Sequence, residues 1–238
     1  MIGIINYGAG NIGSIENMLL RMSADYKIIN TPEELLIVDK LILPGVGKFD
    51  YGMSMLIEKN LVDAIKEFAL ILKKPILGIC LGAQLMLNGS EEGILPGLGF
   101  FDGISVHFSK LISNENIKIP HMGWSKVELN KNSTILNNFE MHPRFYFVHS
   151  YYMTTNNNED IMLTSFYGDK FISGLHNSNI YAVQFHPEKS HKFGLKMLEN
   201  FINILSSLCV PFFHESPNRL HVGCGDHLLR KHESKKIP

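Results

Sequence analysis

The chain has 238 residues, of which 45% are hydrophobic and 19% charged, and its formal net charge is −1. This composition is typical of a globular protein with one domain, and the balanced charge favours neither nucleic acid nor an anionic membrane as a partner. The three cysteines, Cys80, Cys209 and Cys224, are too few to suggest a disulfide framework. No basic segment precedes the first apolar run and no apolar run is long enough to span a membrane, so we expect a cytoplasmic protein.

The first part of the chain alternates short apolar runs with helical patterns. The apolar runs predict strands, because each ends in a turn or a glycine-containing loop. Between them, apolar residues recur at helical spacing, and Thr31 with Glu34 forms a capping box that predicts the start of a helix. The predicted strands are residues 2–6, 26–30, 40–43 and 76–80, and the predicted helices are residues 12–22, a segment from 32, residues 61–72 and residues 81–87.

The later part of the chain has a different pattern. Residues 100–185 contain many strand-like segments with polar breaks, among them one at 144–153, and residues 191–205 predict a closing helix. The sequence therefore predicts an α/β fold with a mainly parallel central sheet, helices on both of its faces and an antiparallel addition at one edge. Residues 1–205 form the predicted domain, and residues 206–238 are a tail of unknown role that we expect to be poorly ordered.

Cys80 is the first candidate for a catalytic residue. It lies between Gly78 and Gly82, where a predicted strand turns into a predicted helix. Small neighbours at this spacing permit a sharp turn that raises a nucleophile above the sheet, and a following helix directs its positive end at the sulfur. A lone cysteine is more often a buried core residue, but the two glycines favour a nucleophile.

A thiolate nucleophile needs a base, and His186 is the best placed of the 11 histidines. It follows an apolar run, and Glu188 lies two residues further on, where its carboxylate could orient the imidazole. The alternative is a plain histidine at the end of a strand, before a proline turn. Taken with the cysteine motif, the segment predicts a Cys-His-Glu triad.

The segment LPGVGKF at residues 43–49 also ends a predicted strand at the same edge of the sheet. Its glycines let the backbone turn its N–H groups toward a developing oxyanion. The N–H groups of Val46 or Gly47, together with that of Leu81, are the predicted donors. Without the other motifs, an ordinary turn between a strand and a helix is equally compatible with this segment.

With these segments together, the chain resembles the class I glutamine amidotransferases, and more narrowly the HisH family of glutaminase subunits of imidazole glycerol phosphate synthase. The resemblance covers residues 1–205 and runs through NYGAGNIGSI, PGVGKF, LGICLGAQ, SEEGILPGLGF, IPHMGWSKV, YFVHSYY and VQFHPEKS. It implies a flavodoxin-like sheet, and it implies hydrolysis of glutamine to glutamate and ammonia by Cys80, His186 and Glu188. It implies no cofactor and no metal.

The resemblance also implies where glutamine and a partner would bind. Gln84, Gly47 and the segment His149, Ser150 and Tyr151 would hold the substrate. Ammonia would pass to a cyclase subunit of the HisF type in a heterodimer that makes imidazole glycerol phosphate and AICAR for histidine biosynthesis. The residues implied at that interface are Asn11, Pro120, Met122, Trp124, Tyr146 and Lys189. Composition alone leaves core packing open for Trp124.

Some residues depart from the usual pattern of the family. Asn6, Lys48 and Ser125 stand where aspartate, alanine and asparagine are common. They leave open a HisH-like paralogue that supplies ammonia for amidation of a surface-polysaccharide sugar. A non-catalytic binding module and a cysteine hydrolase acting on another amide are further alternatives. RLHVGCGD in the tail resembles a methyltransferase glycine loop, but with no domain after it we expect that deleting the tail leaves glutamine hydrolysis unchanged.

Overall fold

The computed structural model describes residues 1–112, 116–139 and 143–205. The expected tail at 206–238 therefore lies outside the described residues, with Cys209 and Cys224. The α-helices are α1 Ile12–Arg21, α2 Phe49–Glu58, α3 Leu61–Lys66, α4 Leu81–Leu85 and α5 His191–Ile202. The strands are β1 Ile2–Ile5, β2 Tyr26–Ile29, β3 Lys40–Leu43, β4 Ile76–Ile79, β5 Leu87–Ser90, β6 Phe101–His107, β7 His121–Leu129, β8 Arg144–His149, β9 Tyr151–Met153, β10 Ile161–Tyr167, β11 Asp169–Asn177 and β12 Ile180–Val183.

The strands form one mixed sheet in the order β2-β1-β3-β4-β12-β11-β10-β7-β8. Strands β2, β1, β3, β4 and β12 pair in parallel, and β11, β10, β7 and β8 continue the sheet in antiparallel pairs. Off this path, β9 pairs with β11 and β6, and β6 pairs with β5. The predicted α/β fold is confirmed, and the antiparallel addition proves as extensive as the parallel part.

Successive side chains of the central strands point to opposite faces of the sheet, so the core is divided into two layers, one on each face. Ile5, Leu41 and Leu43 pack into one layer, and Ile4 and Ile42 into the other. Strands β1, β4 and β12 are buried along their whole length, as expected of parallel strands covered on both faces. Helix α5 buries Met197, Leu198 and Phe201 at helical spacing, so its apolar stripe closes the second layer.

Several predicted boundaries differ from the structure. The capping box at Thr31 begins a 3₁₀ helix, Pro32–Ile37, rather than an α-helix, and the Glu34 carboxylate accepts the Thr31 N–H at 3.3 Å. The helix predicted at 61–72 is α3 followed by a π-helical turn, Glu67–Ile71. Helix α2 follows the loop at residues 43–49, in a segment for which no element is predicted from the sequence. The closing helix ends at Ile202, three residues before its predicted end.

Two further differences bear on the site. The helix predicted at 81–87 ends at Leu85, because the chain turns into β5 and the Leu85 carbonyl accepts the Leu98 N–H at 2.8 Å. The single strand predicted at 144–153 is broken at Ser150, since β8 pairs with β7 whereas β9 pairs with β6 and β11.

Within the described ranges, every helix is too short or too polar to cross a bilayer.

Candidate active site

The carboxyl ends of three neighbouring parallel strands bring the predicted catalytic segments together. Strand β4 lies between β3 and β12, with Leu43 opposite Gly78 and Val183 opposite Ile79. The chain continues from β3 into Pro44–Gly47, from β4 into Cys80 and from β12 into Gln184–His186. Because the carboxyl ends of parallel strands meet at one edge, the cysteine, the histidine and the glycine loop share a single rim.

Cys80 occupies a strained turn between β4 and α4. Its φ is +53° and its ψ is −111°, a conformation that L-residues seldom adopt. The turn is held at both ends, because the Cys80 N–H donates to the Val183 carbonyl at 2.8 Å and the Cys80 carbonyl accepts the N–H groups of Ala83 and Gln84. The cysteine is buried, with 7% of the residue exposed. Strain of this kind persists where the surrounding structure imposes it, often at functional sites.

The flanking glycines are required by close approach of the backbone. A Cβ atom on Gly82 would lie 1.9 Å from the Leu43 carbonyl oxygen, and one on Gly78 would lie 2.9 Å from the Ala83 backbone. A Cβ on Gly45 would lie 2.6 Å from the Gly82 nitrogen. The loop after β3 therefore packs directly against the start of α4. Since α4 has only five residues, its dipole contributes less to the sulfur than the predicted longer helix would.

His186 and Glu188 form a buried pair beside the cysteine. The Nδ1 atom of His186 lies 2.6 Å from Glu188 Oε1, and the two side chains are 2% and 3% exposed. Ser190 holds the histidine backbone, because its hydroxyl donates to the His186 carbonyl and accepts the N–H of Tyr146. Glu188 therefore fixes the orientation of the His186 ring at Nδ1, and Ser190 fixes the position of the His186 backbone.

The other ring nitrogen of His186 is left for the cysteine. Nε2 is buried and makes no hydrogen bond to any side chain or backbone group in the described part of the chain. Burial lowers the pKa of His186, but interaction with the Cys80 sulfur and the Glu188 carboxylate outweighs burial and raises that pKa above its usual value. The histidine is thus able to hold a proton at neutral pH, next to the nucleophile.

The predicted oxyanion donors lie on two adjoining backbone segments. Val46 and Gly47 precede α2, and Leu81 is the first residue of α4. Gly47 has a φ of +108°, in the region that favours glycine. The loop is fixed at its start by the Tyr7 hydroxyl, which donates to the Pro44 carbonyl at 2.7 Å, and beyond its end by the Phe49 N–H, which donates to Glu92.

The predicted substrate-binding residues adjoin the triad through Gln184, a polar side chain that the sequence motifs do not single out. Gln84 donates through Nε2 to the Tyr151 carbonyl at 3.2 Å and to Gln184 Oε1 at 3.1 Å. Gln184 in turn donates to the Cys80 sulfur at 3.8 Å. The segment 149–151 coincides with the break between β8 and β9, and His149 Nδ1 contacts the same carbonyl at 2.7 Å. A lone glutamine in the apolar run YAVQF is the signal in the sequence that could have found Gln184.

Three of the predicted interface residues, Trp124, Tyr146 and Lys189, lie side by side next to His186. Trp124 pairs with Tyr146 across β7 and β8, and Tyr146 forms a bridge with His186. Trp124 is 44% exposed, so it is not a core residue, and its ring stacks on His191 at 5.5 Å. The ammonium group of Lys189 lies 5.9 Å from the centroid of the Tyr146 ring. Met122, Pro120 and Asn11 are also exposed, and α1, which follows Asn11, contacts the turn at Pro187–Lys189.

The sequence profile of the glutamine amidotransferase class-I family matches residues 3–205. The fold agrees: a PurLQS structure from Thermotoga maritima superimposes with a TM-score of 0.66 at 20% identity, covering 85% of this chain and 97% of the other. A glutamine amidotransferase structure from the same organism gives a TM-score of 0.57 at 17% identity, covering 84% and 81%. The chain therefore belongs to the class-I glutamine amidotransferase family.

Within that family it groups with the HisH chains. It is 50% identical over 202 residues to imidazole glycerol phosphate synthase subunit HisH 2 of Methanococcus maripaludis, covering 85% of this chain and 98% of the relative. It is 45% identical over 205 residues to the protein named HisH 2 of Pseudomonas aeruginosa, covering 86% and 100%.

Proposed function

We propose that this chain is the glutaminase subunit of an imidazole glycerol phosphate synthase. It hydrolyses glutamine to glutamate and ammonia and delivers the ammonia to a cyclase subunit of the HisF type, in a cytoplasmic heterodimer that serves histidine biosynthesis. The observation that carries the proposal is the His186–Glu188 pair, 2.6 Å apart, beside a cysteine in a strained left-handed turn. The names of the HisH relatives support the reaction and the pathway.

Cys80 acts as the nucleophile. Its sulfur forms a bond to the side-chain carbonyl carbon of glutamine, and the carbonyl electrons move to the oxygen. The N–H groups of Val46 or Gly47 and of Leu81 stabilise this oxyanion. Gln84, Gly47 and the segment at 149–151 hold the substrate so that its amide faces the sulfur.

His186 moves the proton. Its raised pKa keeps the ring protonated beside a thiolate, and it donates that proton to the amide nitrogen as the C–N bond breaks. Ammonia leaves, and a γ-glutamyl thioester remains on Cys80. The neutral ring then removes a proton from water, which attacks the thioester and releases glutamate and the thiolate. Glu188 keeps Nδ1 as the donor toward itself, so that Nε2 faces the reaction.

The partner would dock on the face made by Asn11, Pro120, Met122, Trp124, Tyr146 and Lys189. Ammonia in bulk water at neutral pH is almost wholly ammonium, which is not a nucleophile, so a covered path to the acceptor keeps the product useful. Trp124 and Met122 are exposed apolar side chains, 44% and 61% accessible, that such a partner would bury. Half-exposed aromatic side chains of this kind anchor the centres of interfaces.

The alternative is that the ammonia goes to a different acceptor, a surface-polysaccharide sugar, rather than to the cyclase of histidine biosynthesis. The relatives in Methanococcus maripaludis, Pseudomonas aeruginosa and Campylobacter jejuni carry numbered names, HisH 1 or HisH 2, which distinguish more than one such protein. Supply of ammonia to a surface-sugar amidation requires the same glutaminase chemistry with a different partner.

The chemistry is tested by replacing Cys80 with alanine. Glutamate release is measured with the wild-type chain and with Cys80→Ala, each in the presence of a HisF-type cyclase and its ligand. We expect the variant to lose more than about a thousandfold in rate because the thioester cannot form, while it still binds the cyclase. Release at the wild-type rate would overturn the mechanism, and a wild-type chain that never responds to the cyclase would favour the other acceptor.

The docking face is tested by Trp124→Ala. We expect the variant to bind the cyclase about tenfold or more weakly, because a central aromatic anchor is lost. Phe166→Ala is the control, since Phe166 is 69% exposed on β10 and lies outside the proposed face. Equal binding by the wild-type chain and Trp124→Ala would remove this face from the proposal.

A further inference from the structure

The nucleophile has a second polar neighbour besides His186, namely the Gln184 side-chain amide. Gln184 is fully buried, and its Nε2 lies 3.8 Å from the Cys80 sulfur. Its backbone is fixed as well, because the Gln184 N–H donates to the Ser173 carbonyl at 3.0 Å. The two ends of a glutamine amide have opposite hydrogen-bonding character, so the orientation of this amide decides whether the sulfur receives a donor or an acceptor.

The orientation follows from the Tyr151 carbonyl, which can only accept. Gln84 contacts this carbonyl at 3.2 Å and must do so through its NH₂ group. The same NH₂ group lies 3.1 Å from the Gln184 amide, so Gln184 must present its oxygen there. Its own NH₂ group is then left for the sulfur. The reverse orientation of Gln184 would set two NH₂ groups against each other in a buried site.

The same carbonyl also fixes a pair of histidines. His149 must donate from Nδ1 to Tyr151 at 2.7 Å, so its Nε2 accepts from His121 Nδ1 at 3.1 Å. His121 Nε2 then accepts from the Ser125 hydroxyl at 2.9 Å. Burial lowers the pKa of His149 to about 3 and that of His121 to about 4, so both rings are neutral and each has one donor and one acceptor. The Tyr151 carbonyl is thus held from two sides.

We propose that Gln184 is a hydrogen-bond donor to the Cys80 thiolate, and that Gln84 is the positioning residue that fixes its polarity through the Tyr151 carbonyl. A donor to the charged form of an acid favours that form. The amide therefore adds to the stabilisation that His186 gives to the attacking sulfur, and it does so without carrying a charge that could be lost. This inference rests on the proposed role of Cys80 as nucleophile.

Other titratable groups also surround the sulfur. His186, which is paired with Glu188, faces it from the turn after β12, and the Tyr7 hydroxyl lies near it from the loop after β1. Burial and the nearby Cys80 raise the pKa of Tyr7, so that hydroxyl stays neutral. A test must therefore change Gln184 while these groups stay in place.

The experiment measures alkylation of Cys80 by iodoacetamide across pH, without glutamine or cyclase. The full chain carries Cys209→Ser and Cys224→Ser so that only one thiol reacts. We expect Gln184→Met, which retains the length but has no donor, to react about tenfold more slowly than the parent chain at pH values below the midpoint of the parent's alkylation profile. We expect the pH midpoint of its alkylation to rise by about one unit, with an unchanged plateau at high pH.

Two further variants protect this test against loss of folding. Gln184→Met leaves Gln84 with an unsatisfied donor, so the double variant Gln84→Met/Gln184→Met removes both partners and should give the same alkylation profile. Gln84→Met alone should shift the midpoint by less, since it leaves the Gln184 donor present but free to rotate. Ser173→Ala is the matched control and should keep the parent midpoint. It removes a buried hydroxyl that contacts Ser165 and leaves the hydrogen bonds of the Gln84 and Gln184 side chains intact.

A wild-type midpoint in both Gln184→Met and the double variant would overturn the inference. A uniform fall in rate at every pH would overturn it as well, because altered packing would then explain the change. Glutamine turnover is not needed for either result. Failure of the glutaminase proposal and failure of this donor role are therefore observed separately.

Discussion

The parallel and antiparallel parts of the sheet contribute to the site in different ways. At the ends of β3, β4 and β12 the important features belong to the backbone: a left-handed cysteine, glycines that admit close approach, and a turn that pairs His186 with Glu188. On β7 and β8 they belong to side chains, with Trp124 exposed on one face of the sheet and His121 buried on the other. The comparison indicates that backbone geometry in the parallel part positions the catalytic residues. Side-chain packing in the antiparallel part determines what surrounds them.

This difference has a consequence for substitutions. Changes at the ends of the parallel strands should abolish turnover or destabilise the fold, because they alter atoms that have no room to move. Changes on the antiparallel strands should alter binding and pH response while leaving the nucleophile in place. Substitutions in both parts test this division, beginning with the largest effect.

Replacing Glu188 with glutamine should lower kcat for glutamine hydrolysis about a thousandfold. An amide that donates to Nδ1 would leave the proton of His186 on Nε2, so the ring could no longer accept a proton from the thiol. Turnover is measured with the cyclase present, and circular dichroism checks the fold. Glu199→Gln on the exposed face of α5 is the control and should retain wild-type activity. A loss below about tenfold would mean that the carboxylate does not orient the ring.

Replacing Gly82 with alanine should reduce the free energy of unfolding by about 3 kcal/mol. The new Cβ would lie 1.9 Å from a backbone carbonyl of β3, which cannot move without shifting the central sheet. Urea unfolding measures the effect. Gly13→Ala is the matched control: its Cβ would meet no atom within 4 Å, and it lies in α1. There alanine should stabilise by about 0.5 kcal/mol. Equal stability of the two variants would show that the backbone around Cys80 can move to admit the new Cβ atom.

The same division explains what could be predicted from the sequence. Gly78, Cys80 and Gly82 are close in the chain, and the strand pattern places their turn at the rim where His186 also lies. Local spacing and the rule for parallel strands are sufficient there. The capping box at Thr31 is recognisable too. Whether it begins an α-helix or a 3₁₀ helix depends on tertiary packing, which helix propensities do not describe.

The antiparallel part is harder to predict because its contacts depend on register. Gln84 contacts Tyr151, 67 positions further along the chain, and His121 contacts His149. The break between β8 and β9 at Ser150 likewise depends on which strands pair with each of them. A shift of one residue in β7 would turn His121 outward and Trp124 inward, and the sequence pattern does not exclude it. For the same reason, core packing of Trp124 can be rejected only when the exposed face of β7 is known.

The buried histidines should make the fold sensitive to mild acid, and this is the smallest of the expected effects. Burial depresses the pKa of His121 to about 4, whereas an imidazole in the unfolded chain titrates near 6.5. Stability is therefore fully present above about pH 6.5 and is lost as the pH falls toward 4, because only the unfolded state takes up the proton. At pH 5.5 His121 should account for a loss of about 1 kcal/mol.

His121→Phe should make that loss smaller. The phenyl ring can stack between Phe147 and Tyr167 as the imidazole does, so the core stays filled. The measurement is urea unfolding at pH 7.5 and pH 5.5. We expect the difference between the two free energies to shrink by about 1 kcal/mol relative to the wild-type chain, even if the variant is less stable at both values. His191→Phe, at an exposed ring stacked on Trp124, should leave the difference unchanged. If His121→Phe also leaves it unchanged, His121 does not contribute to the acid response, and the contrast between the two parts of the sheet fails at this residue.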